Sequence, residues 1–165
     1  MSISKEFPSV DHIAIGAIGE PGKRVFLIQA RYLGDLITLK IEKAQVAALV
    51  HHLAELIQQL TRPGHLDEPR DILLPYEIAW VVGTIGISYV SDVDQIHLHL
   101  ESVPAEGEES SSLQIGMTRE QSAELAIQGT RLIEAGRPPC PLCGYPLDQN
   151  GHACPKTNGH RAPTL

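Results

Sequence analysis

The sequence is poor in aromatic residues, poor in basic residues and free of long apolar runs. Phe, Trp and Tyr make up 4% of the 165 residues, so the core must be built from aliphatic side chains. No stretch reaches the roughly 18 consecutive apolar residues of a membrane-spanning helix. The first ten residues carry charges and lack the apolar run of a signal peptide. We therefore expect a cytoplasmic protein that does not enter a membrane.

The shortage of basic residues is uneven along the chain. Residues 1–136 hold ten Lys and Arg against nineteen Asp and Glu, whereas residues 137–165 hold three against one. An acidic body repels phosphate backbones, so the charge disfavours nucleic acid as a partner. The basic C-terminal segment leaves a local phosphate contact open.

Cysteine is missing from the first 139 residues, and all three cysteines follow within fifteen positions. In the cytoplasm, clustered cysteines bind metal more often than they form disulfides. Cys140 and Cys143 lie two residues apart in a Pro- and Gly-rich turn, where both thiolates can point at one tetrahedral ion. Asn150-Gly151 suits a hairpin turn that would return the chain alongside them. The pattern is typical of a zinc knuckle.

A histidine is expected to complete the zinc site with Cys140, Cys143 and Cys154. His152 lies two positions before Cys154, so both side chains share one face of an extended strand. His160 is the competing fourth ligand, reached through a short loop. Three cysteines and one histidine close the tetrahedral shell and leave no open position for a catalytic water. We therefore predict a structural zinc ion.

Two other interpretations of the cysteine segment stay open. A Cys-Pro-Leu-Cys sequence is also typical of redox-active dithiols, but those lie at helix N-termini, and Gly144 and Pro146 oppose a helix here. The segment could also be unmetallated and without structure. The concentration of thiols, histidines and turn residues favours the zinc site over both.

Apolar periodicity predicts an α+β body over residues 1–136, followed by a zinc-ribbon-like segment over residues 137–165. Alternation and β-branched runs predict strands at residues 7–18, 24–32, 37–41, 77–90, 95–103 and 113–117. Helical spacing of apolar residues predicts a helix over 42–60, and a capping box at Thr118 opens a second helix that ends near Ala135.

The two halves of the body match locally at an offset of 76 positions. Residues 41–45 lie over 117–121, Leu49 lies over Leu125, and residues 56–57 lie over 132–133. The match suggests two duplicated βββα units that form a largely antiparallel sheet with both helices on one face. Convergence is the alternative, because any amphipathic helix that follows a strand has similar spacing.

The strongest candidate site within the body is a pair of histidines on one predicted strand. His97 and His99 share a strand face, and with Arg31 and Asp94 they could form a metal or small-molecule site. A solvated polar face explains the same pattern. We find neither a serine or cysteine nucleophile triad nor a nucleotide-binding phosphate loop in the sequence.

The C-terminal motifs resemble those of an uncharacterised bacterial family, domain of unknown function 3090, known mainly from actinobacteria and chloroflexi. These motifs are Cys-Pro-Leu-Cys-Gly, Gly-His-Ala-Cys-Pro and Asn-Gly-His, preceded by Gly-Arg-Pro-Pro at 136–139. The resemblance extends over the whole chain and includes residues 31–34 and 83–86. It implies a cysteine-containing C-terminal segment but no particular activity.

We therefore hypothesise a non-enzymatic zinc-containing protein in which body and C-terminal segment form a recognition surface for a protein partner, with an interaction or regulatory role. The alternative hypothesis is a metal-assisted enzyme or small-molecule binder that uses the strand face of His97 and His99. A second, exchangeable metal ion would distinguish the two.

Overall fold

A computed structural model describes residues 2–20 and 22–135, so the predicted zinc segment lies outside the described residues. The elements in chain order are β1 (Ser4–Phe7), β2 (His12–Ile18), β3 (Val25–Tyr32), β4 (Asp35–Ile41), α1 (Lys43–Gln58), β5 (Ile78–Val90), β6 (Gln95–Ser102), β7 (Ser112–Met117) and α2 (Arg119–Ala135). The predicted α+β class is confirmed.

The predicted strand over residues 7–18 is two strands in the structure. β1 ends at Phe7 and β2 begins at His12. Pro8, which follows Phe7, has no backbone N–H with which to continue a strand ladder. The four residues between the strands carry the chain from one end of the sheet to the other.

The seven strands form one mixed sheet in the order β1-β7-β6-β5-β4-β3-β2. Two neighbouring pairs, β1 with β7 and β4 with β5, are parallel, and the other pairs are antiparallel. Four of the six pairs are antiparallel, in agreement with the predicted largely antiparallel sheet, and the two parallel pairs make the sheet mixed. Each of them joins strands that belong to different halves of the chain.

The sheet curls until its two ends meet. In a flat sheet, six steps of about 4.8 Å would separate β1 from β2 by about 29 Å. The chain from Phe7 to His12 spans at most about 18 Å. Val10 N donates to the carbonyl of Gly116 at 3.1 Å, and Asp11 N donates to the carbonyl of Arg31 at 3.0 Å. These bonds tie the connection to β7 on one side and to β3 on the other.

The core lies on the concave face of this sheet. Side chains from all seven strands meet there with Val46, Leu49 and Leu53 of α1 and Leu125 of α2. Each fully buried aliphatic side chain stabilises the fold by roughly 1.5–3 kcal/mol relative to exposure. α1 and α2 therefore both pack on the concave face, side by side.

The strand registers of the two halves repeat. Gln29 pairs with Ala14 on β2 and Thr38 on β4, and His99 pairs with Gly86 on β5 and Gln114 on β7. The corresponding positions differ by 72 on the first strand, 70 on the second and 76 on the third. Positions related in this way are called equivalent below, and the helices follow the offset of 76. The β1–β2 stretch is thus the equivalent of β5.

Candidate functional site

The five predicted metal ligands lie outside the described residues. They are Cys140, Cys143, His152, Cys154 and His160. The zinc site therefore stays a prediction of the sequence. The candidate sites among the described residues all lie in the body.

His97 and His99 point to the convex side of β6, as the alternation of the strand predicts. His97 Nε2 lies 3.2 Å from Oε1 of Gln95, and its Nδ1 lies 3.3 Å from Nε2 of Gln114. His99 is exposed, with Nε2 3.9 Å from Oε1 of Glu101. Both ring nitrogens of His97 are thus hydrogen-bonded to glutamine side chains, while His99 faces solvent.

The structure does not bring Arg31 and Asp94 to this histidine pair. Arg31 lies on β3, three strand spacings or about 14 Å from β6, and its Nε donates to Oδ1 of Asp11 at 2.7 Å. Asp94 accepts hydrogen bonds from Tyr89 and Arg119 at 2.7 and 2.9 Å. These two bonds lower the pKa of Asp94 below its ordinary value. Both residues therefore have structural partners of their own.

Residues 2–20 and 22–135 contain no group of three His, Cys, Asp or Glu side chains that could hold a metal ion. Ligands from the described body alone would give a metal ion at most two such donors. A metal centre that uses His97 and His99 would need further ligands from elsewhere.

A buried polar network that we did not predict from the sequence lies on the convex side of β2, β3 and β4. His12 is 2% exposed, and Gln29 is fully buried. His12 Nε2 and Gln29 Oε1 are 3.0 Å apart, and because an amide oxygen only accepts, Nε2 carries the proton. Gln29 Nε2 donates to Thr38 Oγ1 at 3.0 Å. The signal that could have revealed the network is the presence of polar residues in the middle of two predicted strands.

The chain segment that follows α1 covers this network. We call residues 59–77 the connector. Leu73 of the connector donates its N–H to Gln29 Oε1 at 2.8 Å and accepts from Gln29 Nε2 at 3.2 Å. Burial lowers the pKa of His12, the hydrogen bond that His12 donates to Gln29 raises it, and the charges of Arg31 and Arg70 lower it further. His12 is thus a neutral imidazole. It is hydrogen-bonded to Gln29, whose side chain holds Leu73 of the connector.

A groove of about 540 Å³ runs between α1 and β5, on the concave side of the sheet. Its volume lies in the range of binding clefts. Its walls combine apolar side chains with a few polar groups: Gln45, Ala48, Leu49, His52, Glu55, Leu56, Gln59, Gly83, Ile85 and Ile87. Ile85 and Ile87 are only half-buried, so the groove exposes apolar surface of the sheet itself.

The equivalent position between α2 and β2 is filled. This position is lined by the equivalents of three groove residues. Ile13 and Ile15 correspond to Ile85 and Ile87, and Leu125 corresponds to Leu49. Pro69 and Arg70 of the connector lie against these residues and leave no room for a water molecule. One groove is thus closed by the segment that follows the other helix.

Hydrogen bonds to glutamate side chains of α2 hold the connector in place. Gly64 N donates to Glu120 Oε1 at 3.0 Å, and Asp67 N donates to Glu124 Oε1 at 2.8 Å. Further along, Ile72 packs so closely on Gly16 that a side chain there would overlap with it. The connector therefore runs along α2 and then turns onto the convex side of β2.

The fold and its surfaces define an α+β protein with a curled mixed sheet and an open groove between α1 and β5. None of the helices that the structure describes is long and apolar enough to cross a membrane.

The chain belongs to the family described as protein of unknown function (DUF3090), whose profile matches residues 5–154. This confirms the family to which the C-terminal motifs pointed. The match includes Cys140, Cys143 and Cys154 and ends before His160. No curated protein and no solved structure matches the chain.

Proposed function

We propose that the protein is a non-enzymatic, zinc-containing interaction module of the cytoplasm. Cys140, Cys143 and Cys154 hold one zinc ion together with His152, and His160 is the alternative fourth ligand. The observation that carries the proposal is the spacing of these residues in the sequence, with two thiols two residues apart and a histidine and third thiol after an Asn-Gly pair. His152 is favoured because it lies two positions before Cys154, a spacing that places both side chains on one face of an extended strand.

The role of this zinc is structural. Four protein ligands close a tetrahedral shell, and the free energy of metal binding then becomes folding free energy for a segment too small to form its own core. The resulting unit can present Lys156 and Arg161 to an acidic or phosphorylated protein partner. The acidic balance of residues 1–136 disfavours nucleic acid as that partner.

Metal content tests the proposal directly. Plasma mass spectrometry on tag-free protein purified without chelator should find one zinc per chain, and Cys154→Ser and His152→Ala should lose it. His160→Ala is the matched control and should keep it. Protein that contains no metal and has three freely titratable thiols would refute the zinc site.

We also propose that the body arose by duplication of a βββα unit. Support comes from the repeated strand registers and from the matching hydrogen bonds at the starts of α1 and α2. Convergence would have to reproduce both the registers and the capping residues.

The second candidate function is a metal-assisted or small-molecule site at His97 and His99. The exposure of His99 and its proximity to Glu101 favour it. A double variant, His97→Ala with His99→Ala, should lose a second, exchangeable metal ion if this site exists. If only one metal is present in the wild type and the double variant keeps it, a metal-assisted site at His97 and His99 is eliminated.

A further inference from the structure

The groove between α1 and β5 has an equivalent whose occupant is known. The connector, which follows α1, fills the groove between α2 and β2. The equivalent of the connector is the segment that follows α2, beginning at residue 136. We propose that residues 136–144 of the chain's own C-terminal segment dock in the groove between α1 and β5.

The ends of the helices place this segment at the entrance of the groove. Arg119, in the first turn of α2, donates to the carbonyl of Thr61, just beyond the end of α1, at 2.7 Å. The helices are thus antiparallel, since Gly129 in the second half of α2 also meets Val50 in the middle of α1. The chain that leaves Ala135 therefore starts beside the N-terminal end of α1, where the groove begins at Gln45.

The segment is long enough. Gln45 and Gln59 mark the two ends of the groove along α1, and the fourteen positions between them span about 21 Å at 1.5 Å per residue. An extended chain covers ~3.3 Å per residue, so about seven residues cross this distance. Thirty residues follow Ala135. Residues 136–144 include Cys140 and Cys143, so the zinc site would form at the far end of the groove, with Cys154 and its histidine supplied by residues 145–165.

The two grooves differ in the helix residues that line them and in the chain segments that follow the helices. A change on the helix is matched by a compatible change on the segment. After each helix the chain contains Arg-Pro, at 62–63 and at 137–138, so Gly64 corresponds to Pro139. Gly64 donates its N–H to Glu120, whereas proline has no N–H to donate, and the equivalent of Glu120 is Ala44.

The hydrogen-bonded pair of Asp67 and Glu124 is likewise replaced by two apolar residues in the other half. Asp67 donates its N–H to Glu124, while Leu142 stands at the position that corresponds to Asp67. The equivalent of Glu124 is Ala48, which lines the groove. A small apolar residue thus faces an apolar segment, and the absence of a long carboxylate at position 48 makes the groove wide.

Charge supports the same occupant. Glu68 of the connector lies 3.5 Å from Arg131 of α2. The equivalent of Arg131 is Glu55, which lines the groove. The connector carries four acidic and two basic residues, whereas residues 136–144 carry one basic residue, Arg137, and no acidic residue. The charge of the helix is thus reversed at this position, and the segment expected beside it carries no acidic group that would repel Glu55.

Hydrogen exchange on the full chain tests the docking. Amides of residues 136–144 should be protected in the wild type, and Ala48→Arg, which fills the groove, should raise their exchange several-fold. Ala47→Arg places the same side chain on an exposed position of α1 that does not line the groove, and it should leave these amides protected. Circular dichroism verifies that both variants keep their helices. Unprotected amides at 136–144 in the wild type, or equal effects of the two variants, would overturn the proposal.

A photo-crosslink identifies the occupant. With p-benzoyl-L-phenylalanine placed at position 52, which lines the groove, irradiation of the full chain should join it to residues 136–146 within one monomer. The same probe at His51, which is exposed on α1 but does not line the groove, should not reach them. Crosslinks from position 52 that occur only between two chains would show a second copy in the groove and refute the proposal. Residues 136–139 precede the first cysteine, so they can dock with or without zinc. Metal content measured on the same samples reports the zinc site separately.

Discussion

Gln45 and Gln121 make the same pair of hydrogen bonds in the two halves of the protein. Each side chain accepts from the backbone N–H three positions before it, at 2.8 Å from Glu42 and 2.9 Å from Thr118. Each then donates to an equivalent carbonyl, at 3.1 Å to Val82 and 2.8 Å to Val10. One glutamine in each half thus caps a helix and ties it to the other βββα unit, at Val82 of β5 and at Val10, shortly before β2.

We predict that Gln45→Ala and Gln121→Ala destabilise the protein by similar amounts, about 1–2 kcal/mol each. Each change removes the bond that caps the helix and the bond to the other half of the protein, which Gln45 Nε2 shares between the carbonyls of Val82 and Gly83 at 3.1 Å each. Single bonds of this kind contribute roughly 0.5–1.5 kcal/mol. Urea unfolding of the full chain measures the loss. Gln58→Ala, on an exposed position of α1, is the control and should change stability by less than about 0.5 kcal/mol. A large effect at one glutamine and none at the other would contradict their equivalence.

The crossing of α1 and α2 predicts a second effect. A methyl group at Gly129 would overlap with Cγ1 of Val50. Alanine gains about 0.5–1 kcal/mol over glycine in an unstrained helix, but overpacking costs about 1–3 kcal/mol, so Gly129→Ala should be net destabilising. Combining it with Val50→Ala makes room for the methyl group. The double variant should therefore be less destabilised than the sum of the single variants, which thermal or urea unfolding can establish. A Gly129→Ala protein as stable as the wild type would show that the helices do not pack this closely.

The buried His12 makes stability depend on pH. Its pKa is lowered in the folded state, mainly by burial, from the ordinary value of 6.5. Below pH 6.5 the unfolded chain therefore binds a proton that the folded chain does not, and the free energy of unfolding falls as the pH decreases. The fall ends once the pH is below the folded-state pKa. Asp11 and Asp94, whose pKa values are also lowered, act in a lower range, below their ordinary value of 3.8.

Urea unfolding between pH 8 and pH 5 checks this dependence. His12→Gln keeps a donor for Gln29 but does not titrate, so it should flatten the slope around pH 6.5. His65, whose side chain is 90% exposed, is the matched control, and His65→Gln should leave the slope unchanged. An unaltered slope in His12→Gln would assign the titration to another group.

Arg119 should control the connector more than the overall stability. Its guanidinium joins the carbonyl of Thr61 to the carboxylate of Asp94. Exposed ion pairs contribute about 0.2–1 kcal/mol, so Arg119→Ala should change the free energy of unfolding only slightly. Hydrogen exchange of residues 61–67 should nevertheless rise, because the start of the connector loses its anchor. Arg62→Ala, at an exposed neighbour of Thr61, should not produce this rise, and equal exchange in both variants would contradict the role of Arg119.

The local elements could be predicted because their signals are local. Val46, Leu49 and Leu53 repeat at helical spacing, and their burial in α1 follows from that spacing. The alternation in β6 likewise places His97 and His99 opposite the core. The predicted cysteine and histidine ligands have the same local character, and they stay predictions because they lie outside the described residues.

Long-range relationships could not be predicted in this way. The pairing of β1 with β7 joins residues more than 100 positions apart, and no local pattern distinguishes a parallel from an antiparallel neighbour. Burial of His12 depends on the connector, which covers a strand face that alternation alone assigns to solvent. The groove depends on the small size of Ala48 relative to its equivalent, Glu124. The sequence alone does not reveal this difference, because it becomes visible only when the two helices are compared as equivalents.

The pairing of β1 with β7 also sets the order in which the body can fold during synthesis. Ser112, the partner of Ser4, is synthesised 108 positions after it. At a translation rate of about 5–20 residues per second, several seconds pass between the synthesis of β1 and that of the strand with which it pairs. Throughout that time the backbone groups of β1 are free to pair with another nascent chain, so β1 is a strand at which misassembly between chains would begin.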